Sequence, residues 1–307
     1  MKLAGFVLAA ALLSQAPIER RPPPEVPTIK IETRLVNVAV NVVDAHGAPV
    51  PSLTQDDFQI SEDGKPQKIA FFEKESSTPL SIVLAIDASE SVLTNERLEK
   101  NAASHFVNAL LRDQDELDLM DFADTVREIV PFTNQKKQIE RGLNELQRGE
   151  ETALYDAIYL GSQRLAGTRA DAGRRRVLVL ITDGGDTKGS RYEQALEQAQ
   201  RAGAMVYSLI IVPIAEDAGR NTGGEHALIQ MAQDTGGKYY YVEDPKGLEP
   251  AFAHISDDLR TQYVLGYYAP QGGLDQLFRT IKVQMKDPAL RGRYSLRYRT
   301  GYYSDAR

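Results

Sequence analysis

Between residues 81 and 258 the sequence alternates short apolar runs with longer segments that are apolar on one face only. Nearly unbroken apolar runs are typical of strands buried on both faces of a sheet, and the helical period of the intervening segments predicts amphipathic helices. Strands separated by helices form a mainly parallel sheet with helices on both faces, so we predict a doubly wound α/β fold. The predicted strands are 81–87, 117–122, 176–183, 205–212 and 238–242, with a short pair near 126–132, and the predicted helices are 95–111, 135–146, 153–166, 190–203 (capped by Ser190), 225–235 and 245–259.

The segments on either side of this region have β patterns instead. The predicted strands are 34–43, 58–61 and 67–72 before it, and 262–268, 278–285 and 294–303 after it, with turns at 269–273 and 287–292. Each flank is too small to bury a core alone, so we expect the two flanks to pair into one small β-sandwich. The predicted divisions are a signal peptide 1–16, a proline-rich linker 17–29, an N-terminal β segment 30–78, the α/β domain 79–260 and a C-terminal β segment 261–307.

The N-terminus, MKLAGFVLAAALLSQA, has the pattern of a secretory signal peptide. Lys2 supplies a positive charge, residues 3–13 are mostly apolar, and Ser14 and Ala16 have the spacing that a signal peptidase accepts. The apolar run is shorter than the roughly 20 residues that span a bilayer, and no later segment is suited to span one. We therefore predict cleavage after Ala16 and a secreted or periplasmic mature protein, with a retained N-terminal anchor as the alternative.

Composition excludes some classes of function. The 307 residues carry a formal net charge of -7, whereas a general nucleic-acid binder needs a basic face. There is no cysteine, which excludes disulfides and thiolate metal sites. The proportions of hydrophobic residues (42%) and charged residues (26%) are those of a globular protein with a sizeable core.

Oxygen-bearing side chains follow two of the predicted strands and begin one of the predicted helices. Asp87 ends the first strand and is followed by Ser89 and Ser91, Thr152 begins a helix, and Asp183 ends the strand at 176–183. Ligands of doubly wound sheets bind where the loops at the carboxyl ends of the strands meet, so we expect these side chains to converge.

Such convergence has an electrostatic consequence. Two adjacent carboxylates repel each other unless a cation lies between them or one takes up a proton. Mg²⁺ prefers six oxygen ligands, and two carboxylates with three neutral hydroxyls would leave it electrophilic, with a position open to a carboxylate from outside. We predict a Mg²⁺ site, with Mn²⁺ or Ca²⁺ as alternatives. In a competing interpretation the aspartates cap helices and the serines bind loop backbone groups.

The motifs resemble those of von Willebrand factor A domains. DASES at residues 87–91 fits the D-x-S-x-S signature, and Thr152 in ETALYDAI and Asp183 in ITDGGD match the other parts of the metal-ion-dependent adhesion site, in the family's order. The resemblance covers about residues 78–260. The whole layout also resembles bacterial von Willebrand A-related proteins of the kind abundant in Acidobacteria.

The resemblance implies specific roles. Ser89, Ser91 and Thr152 would touch the ion, Asp87 and Asp183 would hold it directly or through water, and a Glu or Asp of a partner protein would complete the shell. The family often has glycine between the two serines where this chain has Glu90, which leaves the type of partner open.

We therefore predict an exported, non-catalytic protein-binding or adhesion module, whose oligomeric state the sequence leaves open. One alternative is a Mg²⁺-dependent phosphoryl-transfer enzyme, but no GxxxxGK[ST] or GxSxG motif occurs and no histidine lies in the three loops. A second alternative is a structural module with a vestigial metal site.

Overall fold

The computed structural model describes residues 35–74, 78–89, 96–168, 174–189, 191–212, 222–243, 245–270 and 278–304. The predicted signal peptide and linker lie outside the described residues, as do Glu90, Ser91 and Ser190. None of the helices within these ranges is both long and apolar enough to cross a membrane.

The described residues form fourteen strands and seven α-helices. The strands are β1 Leu35–Val43, β2 Phe58–Glu62, β3 Lys65–Gln67, β4 Ile69–Glu73, β5 Leu80–Asp87, β6 Glu116–Phe122, β7 Val126–Thr133, β8 Arg175–Thr182, β9 Ala204–Ile211, β10 Tyr239–Val242, β11 Tyr263–Tyr268, β12 Phe278–Met285, β13 Ser295–Arg297 and β14 Gly301–Tyr303. The α-helices are α1 Glu96–Leu110, α2 Lys136–Gly142, α3 Leu154–Ala166, α4 Tyr192–Ala202, α5 Thr222–Thr235, α6 Leu248–Arg260 and α7 Pro288–Arg291.

The central sheet has six strands in the order β10-β9-β8-β5-β6-β7, and all neighbours are parallel except β6 and β7. Every residue of β5 is buried because its two faces meet different helices. Leu84 and Ile86 belong to the apolar layer beneath α1 and α6, where Phe106 and Phe252 stack at 4.4 Å, and Val83 belongs to the layer beneath α3 and α4. The predicted doubly wound α/β fold is confirmed.

The flanking strands form two antiparallel four-stranded sheets, in the orders β13-β1-β11-β4 and β14-β12-β2-β3. Each sheet contains strands of both flanks, which alternate in the first sheet and meet at the β12–β2 pair in the second. The predicted pairing of the two flanks is therefore observed. The Glu62 carboxylate on β2 accepts hydrogen bonds from the hydroxyls of Tyr267 at 2.6 Å and Tyr302 at 2.9 Å, and all three residues are buried. A buried acid of one flank is thus stabilised by two donors of the other.

Two predicted strands are each divided in the structure. The segment predicted as one strand at 67–72 forms the end of β3 and most of β4, which lie in different sheets with Lys68 between them. The segment at 294–303 likewise forms β13 and β14. In both cases the chain passes from one sheet of the sandwich to the other, and the predicted turn at 287–292 contains the short helix α7.

Three other local predictions were wrong in detail. The predicted pair near 126–132 is the single strand β7, antiparallel to β6. Helix α2 ends at Gly142 rather than at 146, and hydrogen bonds of the tighter i to i-3 type follow it. A Cβ at Gly142 would lie 2.4 Å from the Val130 side chain, so α2 ends where its backbone lies against β7. The N-cap of α4 is Arg191, which makes no side-chain capping hydrogen bond.

Candidate metal-ion site

Asp87 and Asp183 lie at the same edge of the central sheet. Asp87 is the last residue of β5, and Asp183 directly follows β8, which pairs in parallel with β5 through the register of Ile86 with Ile181. Because β5 has β8 on one side and β6 on the other, this edge is the switch point of the sheet. The two carboxylates are close enough that Asp183 contributes to raising the pKa of Asp87.

The Asp87 carboxylate is buried and bound on both oxygens. Its Oδ1 accepts a hydrogen bond from the Ser89 amide at 3.0 Å, and its Oδ2 accepts one from the Thr182 hydroxyl at 2.7 Å. Burial raises its pKa to about 6, with a contribution from Asp183, although hydrogen bonds from Ser89 and Thr182 oppose the rise. The protein alone therefore stabilises this charge incompletely, and a nearby cation would stabilise it further.

Thr152 and Ser89 are held against the other loops of this edge. The Thr152 amide donates to the Thr187 hydroxyl, and the Thr187 amide donates to the Thr152 carbonyl, both at 2.9 Å. The Gly149 amide donates to the Ala88 carbonyl at 3.3 Å, and Ser89 forms a parallel bridge with Gly149. The loop before α3 is thus joined both to the Asp87 loop and to the Asp183 loop.

The structure therefore brings Asp87, Ser89, Thr152 and Asp183 to one end of the sheet. Asp87, Ser89 and Thr152 are buried and Asp183 is half-buried. Ser91, the fifth predicted ligand, lies outside the described residues. Whether these residues bind a metal ion stays a prediction.

The turn after β8 has a backbone that only glycine adopts without strain. Gly184 has φ +85°, and a Cβ there would lie 3.1 Å from the Glu225 amide nitrogen in the first turn of α5. The Gly184 amide donates to the Thr182 hydroxyl at 3.1 Å, and the Gly185 amide donates to Asp183 Oδ1 at 2.9 Å. This turn fixes the path of the chain directly after Asp183.

Several residues that shape this edge are absent from the predicted ligand set. Thr182 is hydrogen-bonded to Asp87, and Thr187 is hydrogen-bonded to Thr152. Asp124 Oδ1 accepts hydrogen bonds from the amides of residues 150 and 151 at 3.1 and 2.8 Å. Thr182 was detectable in principle, since it is the one hydroxyl that ends an otherwise aliphatic run. Nothing in the sequence pattern singles out Thr187 or Asp124.

The donors suit a hard divalent cation. Among the described residues no group of three or more His, Cys, Asp or Glu side chains is placed to hold a metal ion. A site at this edge would therefore need hydroxyl oxygens beside its two carboxylates, and oxygen-only donors favour Mg²⁺, Mn²⁺ or Ca²⁺ over softer ions. The buried Asp87 is the feature that fits such an ion, because burial raises its pKa and only hydrogen bonds from Ser89 and Thr182 oppose that rise.

The fold and the position of these donors define an open-sheet α/β protein whose candidate ligand site lies at the switch point of the sheet. The sequence profile of the von Willebrand factor type A domain matches residues 81–254, which is more than half of the chain. The protein therefore belongs to this family, as its motifs predict. Domains of the family mediate protein–protein interactions, are in general non-catalytic, and often bind a divalent metal ion.

Solved structures resemble this chain at low sequence identity, and those with a TM-score of 0.50 or more show a shared fold alone. BatB from Bacteroides thetaiotaomicron is 22% identical over 59% of this chain and 100% of its own, with a TM-score of 0.47. Proximal thread matrix protein 1 from the mussel byssus is 16% identical over 66% of this chain and 50% of its own, with a TM-score of 0.52. That structure has zinc in its metal-ion-dependent adhesion site (MIDAS) motif. The pilus adhesin SpaC from Lactobacillus rhamnosus GG is 11% identical over 80% and 47%, at 0.50. No curated protein matches the sequence significantly.

Proposed function

We propose that this chain is an exported, non-catalytic module that captures a partner protein through a divalent cation. Asp87, Ser89, Ser91, Thr152 and Asp183 would hold the ion, with Mg²⁺ favoured and Mn²⁺ or Ca²⁺ as alternatives. The observation that carries the proposal is the meeting of two carboxylates at the switch point, where Asp87 is fully buried and Asp183 raises its pKa.

Each residue has a separate task in this proposal. The aspartates supply two negative charges that balance the ion, and the hydroxyls supply oxygen donors without further charge. When bound, the ion offers a coordination position to a Glu or Asp carboxylate of the partner. The protein's own contribution is to hold the donors in place, through the Thr152–Thr187 and Ser89–Gly149 contacts, so that binding costs little reorganisation.

Other features support the remaining parts of the proposal. The family's role in protein–protein interaction supports a protein partner. The net charge of -7 disfavours nucleic acid as that partner. Export rests on the signal-like pattern of residues 1–16.

Ion binding is tested by calorimetric titration of the mature protein with MgCl₂ or MnCl₂. We expect saturable binding at one site, with the affinity lost in Ser89→Ala. Ser81→Ala is a matched control, because Ser81 lies at the opposite end of β5 and binds Glu116 and Arg174 instead. A wild-type protein that binds neither ion would contradict the proposal and favour a structural module with a vestigial site.

Partner capture is tested by pull-down from the native cell envelope with Mg²⁺ or with EDTA. We expect the partner to be retained only with Mg²⁺ and only by the wild-type protein and Ser81→Ala. Capture that persists undiminished in EDTA would contradict an ion-mediated contact.

A further inference from the structure

Thr182 is a fully buried residue with no role in the predicted ligand set. It ends β8, and residues 177–181 before it are all aliphatic. Its side chain lies between the loops that carry the two aspartates. Apolar packing alone therefore does not explain why this position has a hydroxyl.

The hydrogen bonds of Thr182 have a fixed direction. A carboxylate can only accept and an amide N–H can only donate. The Thr182 hydroxyl must therefore donate to Asp87 Oδ2, at 2.7 Å, and accept from the Gly184 amide, at 3.1 Å. The bond to the carboxylate is charge-assisted, which makes it both stronger and more directional than a neutral one.

These two bonds link the placement of both aspartates. The bond to Oδ2, together with the Ser89 amide on Oδ1, fixes the plane of the Asp87 carboxylate. The bond from Gly184 orders the turn with φ +85° that directly follows Asp183. One hydroxyl thus connects the two charged donors, which are 96 positions apart in the sequence.

We propose that Thr182 is a positioning residue of the ion site, setting the orientation of Asp87 relative to Asp183. The inference rests on the proposed ion-binding function and adds to it a residue that need not touch the ion. Replacing groups that orient metal ligands typically lowers metal affinity by about 10- to 100-fold. A residue that only filled space at this position would have no such effect.

The test compares Thr182→Val, which keeps the shape and removes the hydroxyl, with Thr182→Ser, which keeps the hydroxyl. Calorimetric titration with MnCl₂ is expected to show an affinity about tenfold lower or more for Thr182→Val, and within about twofold of wild type for Thr182→Ser. Thr235→Val is the matched control. Thr235 is also a buried threonine with two-sided hydrogen bonds, but it binds Val206 and Met231 near the amino end of β9.

A second readout separates positioning from stability. The rise in melting temperature on adding MnCl₂ should shrink in Thr182→Val, remain in Thr182→Ser, and remain in Thr235→Val even if its melting temperature in EDTA is lower. If Thr182→Val does not fold, Thr182→Ala is compared with Thr182→Ser in its place. Wild-type affinity in Thr182→Val or Thr182→Ala, or equal losses in Thr182→Ser, would overturn the inference, whereas a wild-type protein that binds no Mn²⁺ would refute the proposed function itself.

Discussion

Asp118 gives a quantitative prediction about how stability depends on pH. This residue lies in β6 with none of its surface exposed, and its Oδ2 accepts a hydrogen bond from Arg164 Nε at 3.3 Å. Its Oδ1 has no hydrogen-bond partner among the described residues. Burial raises the pKa of Asp118 from 3.8 to about 6, although Arg164 opposes the rise.

The sign and size of the effect follow from linkage. Between pH 3.8 and about 6 the folded protein retains a proton on Asp118 that the unfolded chain has released, so stability falls as the pH rises through this window. At about 1.4 kcal/mol per pKa unit, the shift corresponds to a loss of stability of about 3 kcal/mol, which is nearly complete at pH 7. Asp118→Asn cannot ionise and should not show this loss.

Urea unfolding of wild type and Asp118→Asn at pH 4, 5, 6 and 7 measures the effect. We expect the free energy of unfolding of the variant, relative to wild type, to increase by about 2.5 kcal/mol from pH 4 to pH 7, because a small part of the loss has already occurred at pH 4. Asp113→Asn, at an exposed position, controls for the substitution itself. A difference between Asp118→Asn and wild type that stays constant across the four pH values would show that Asp118 does not retain a proton in the folded protein.

Two further predictions concern the ion site and the sandwich. Thr187→Val removes the hydroxyl that accepts a hydrogen bond from the Thr152 amide, so the Mn²⁺ affinity measured by calorimetry should fall severalfold. The affinity should recover in Thr187→Ser, which keeps the hydroxyl. Equal affinity in wild type and both variants would show that this contact is dispensable. Glu62→Ala leaves two buried tyrosine hydroxyls without their acceptor, so the free energy of unfolding measured in urea should fall by about 3 kcal/mol or more. Glu62→Gln should cause a smaller fall. A fall below about 1 kcal/mol in Glu62→Ala would contradict the buried network.

The central sheet was predictable because its strands are buried on both faces. Strands β5 and β8 each contain five consecutive apolar residues, 82–86 and 177–181, and no other element type suits such short runs between helices. The sandwich strands were less predictable. Lys68 separates β3 from β4 only because each pairs with a different partner, β2 in one sheet and β11 in the other, and such distant pairing leaves no local signal.

The candidate site was also predictable only in part. Asp87, Ser89, Thr152 and Asp183 could be predicted to lie together because strand ends in a parallel sheet share one edge. The roles of Thr182 and Thr187 could not be assigned, because the role of a buried or loop threonine depends on which groups it faces in the fold. The position of Thr182 after an aliphatic run marks it as unusual but does not reveal its partners. Ion binding, export and the partner remain predictions.

The most direct test of the account is to locate the ion. Crystals grown with MnCl₂ should give an anomalous difference peak at the carboxyl edge of β5 and β8, within coordination distance of Ser89 and Thr152 and flanked by Asp87 and Asp183. Crystals of Asp183→Ala grown in the same way should lack this peak. Absence of the peak in the wild-type protein, or a peak only at another position, would contradict the account.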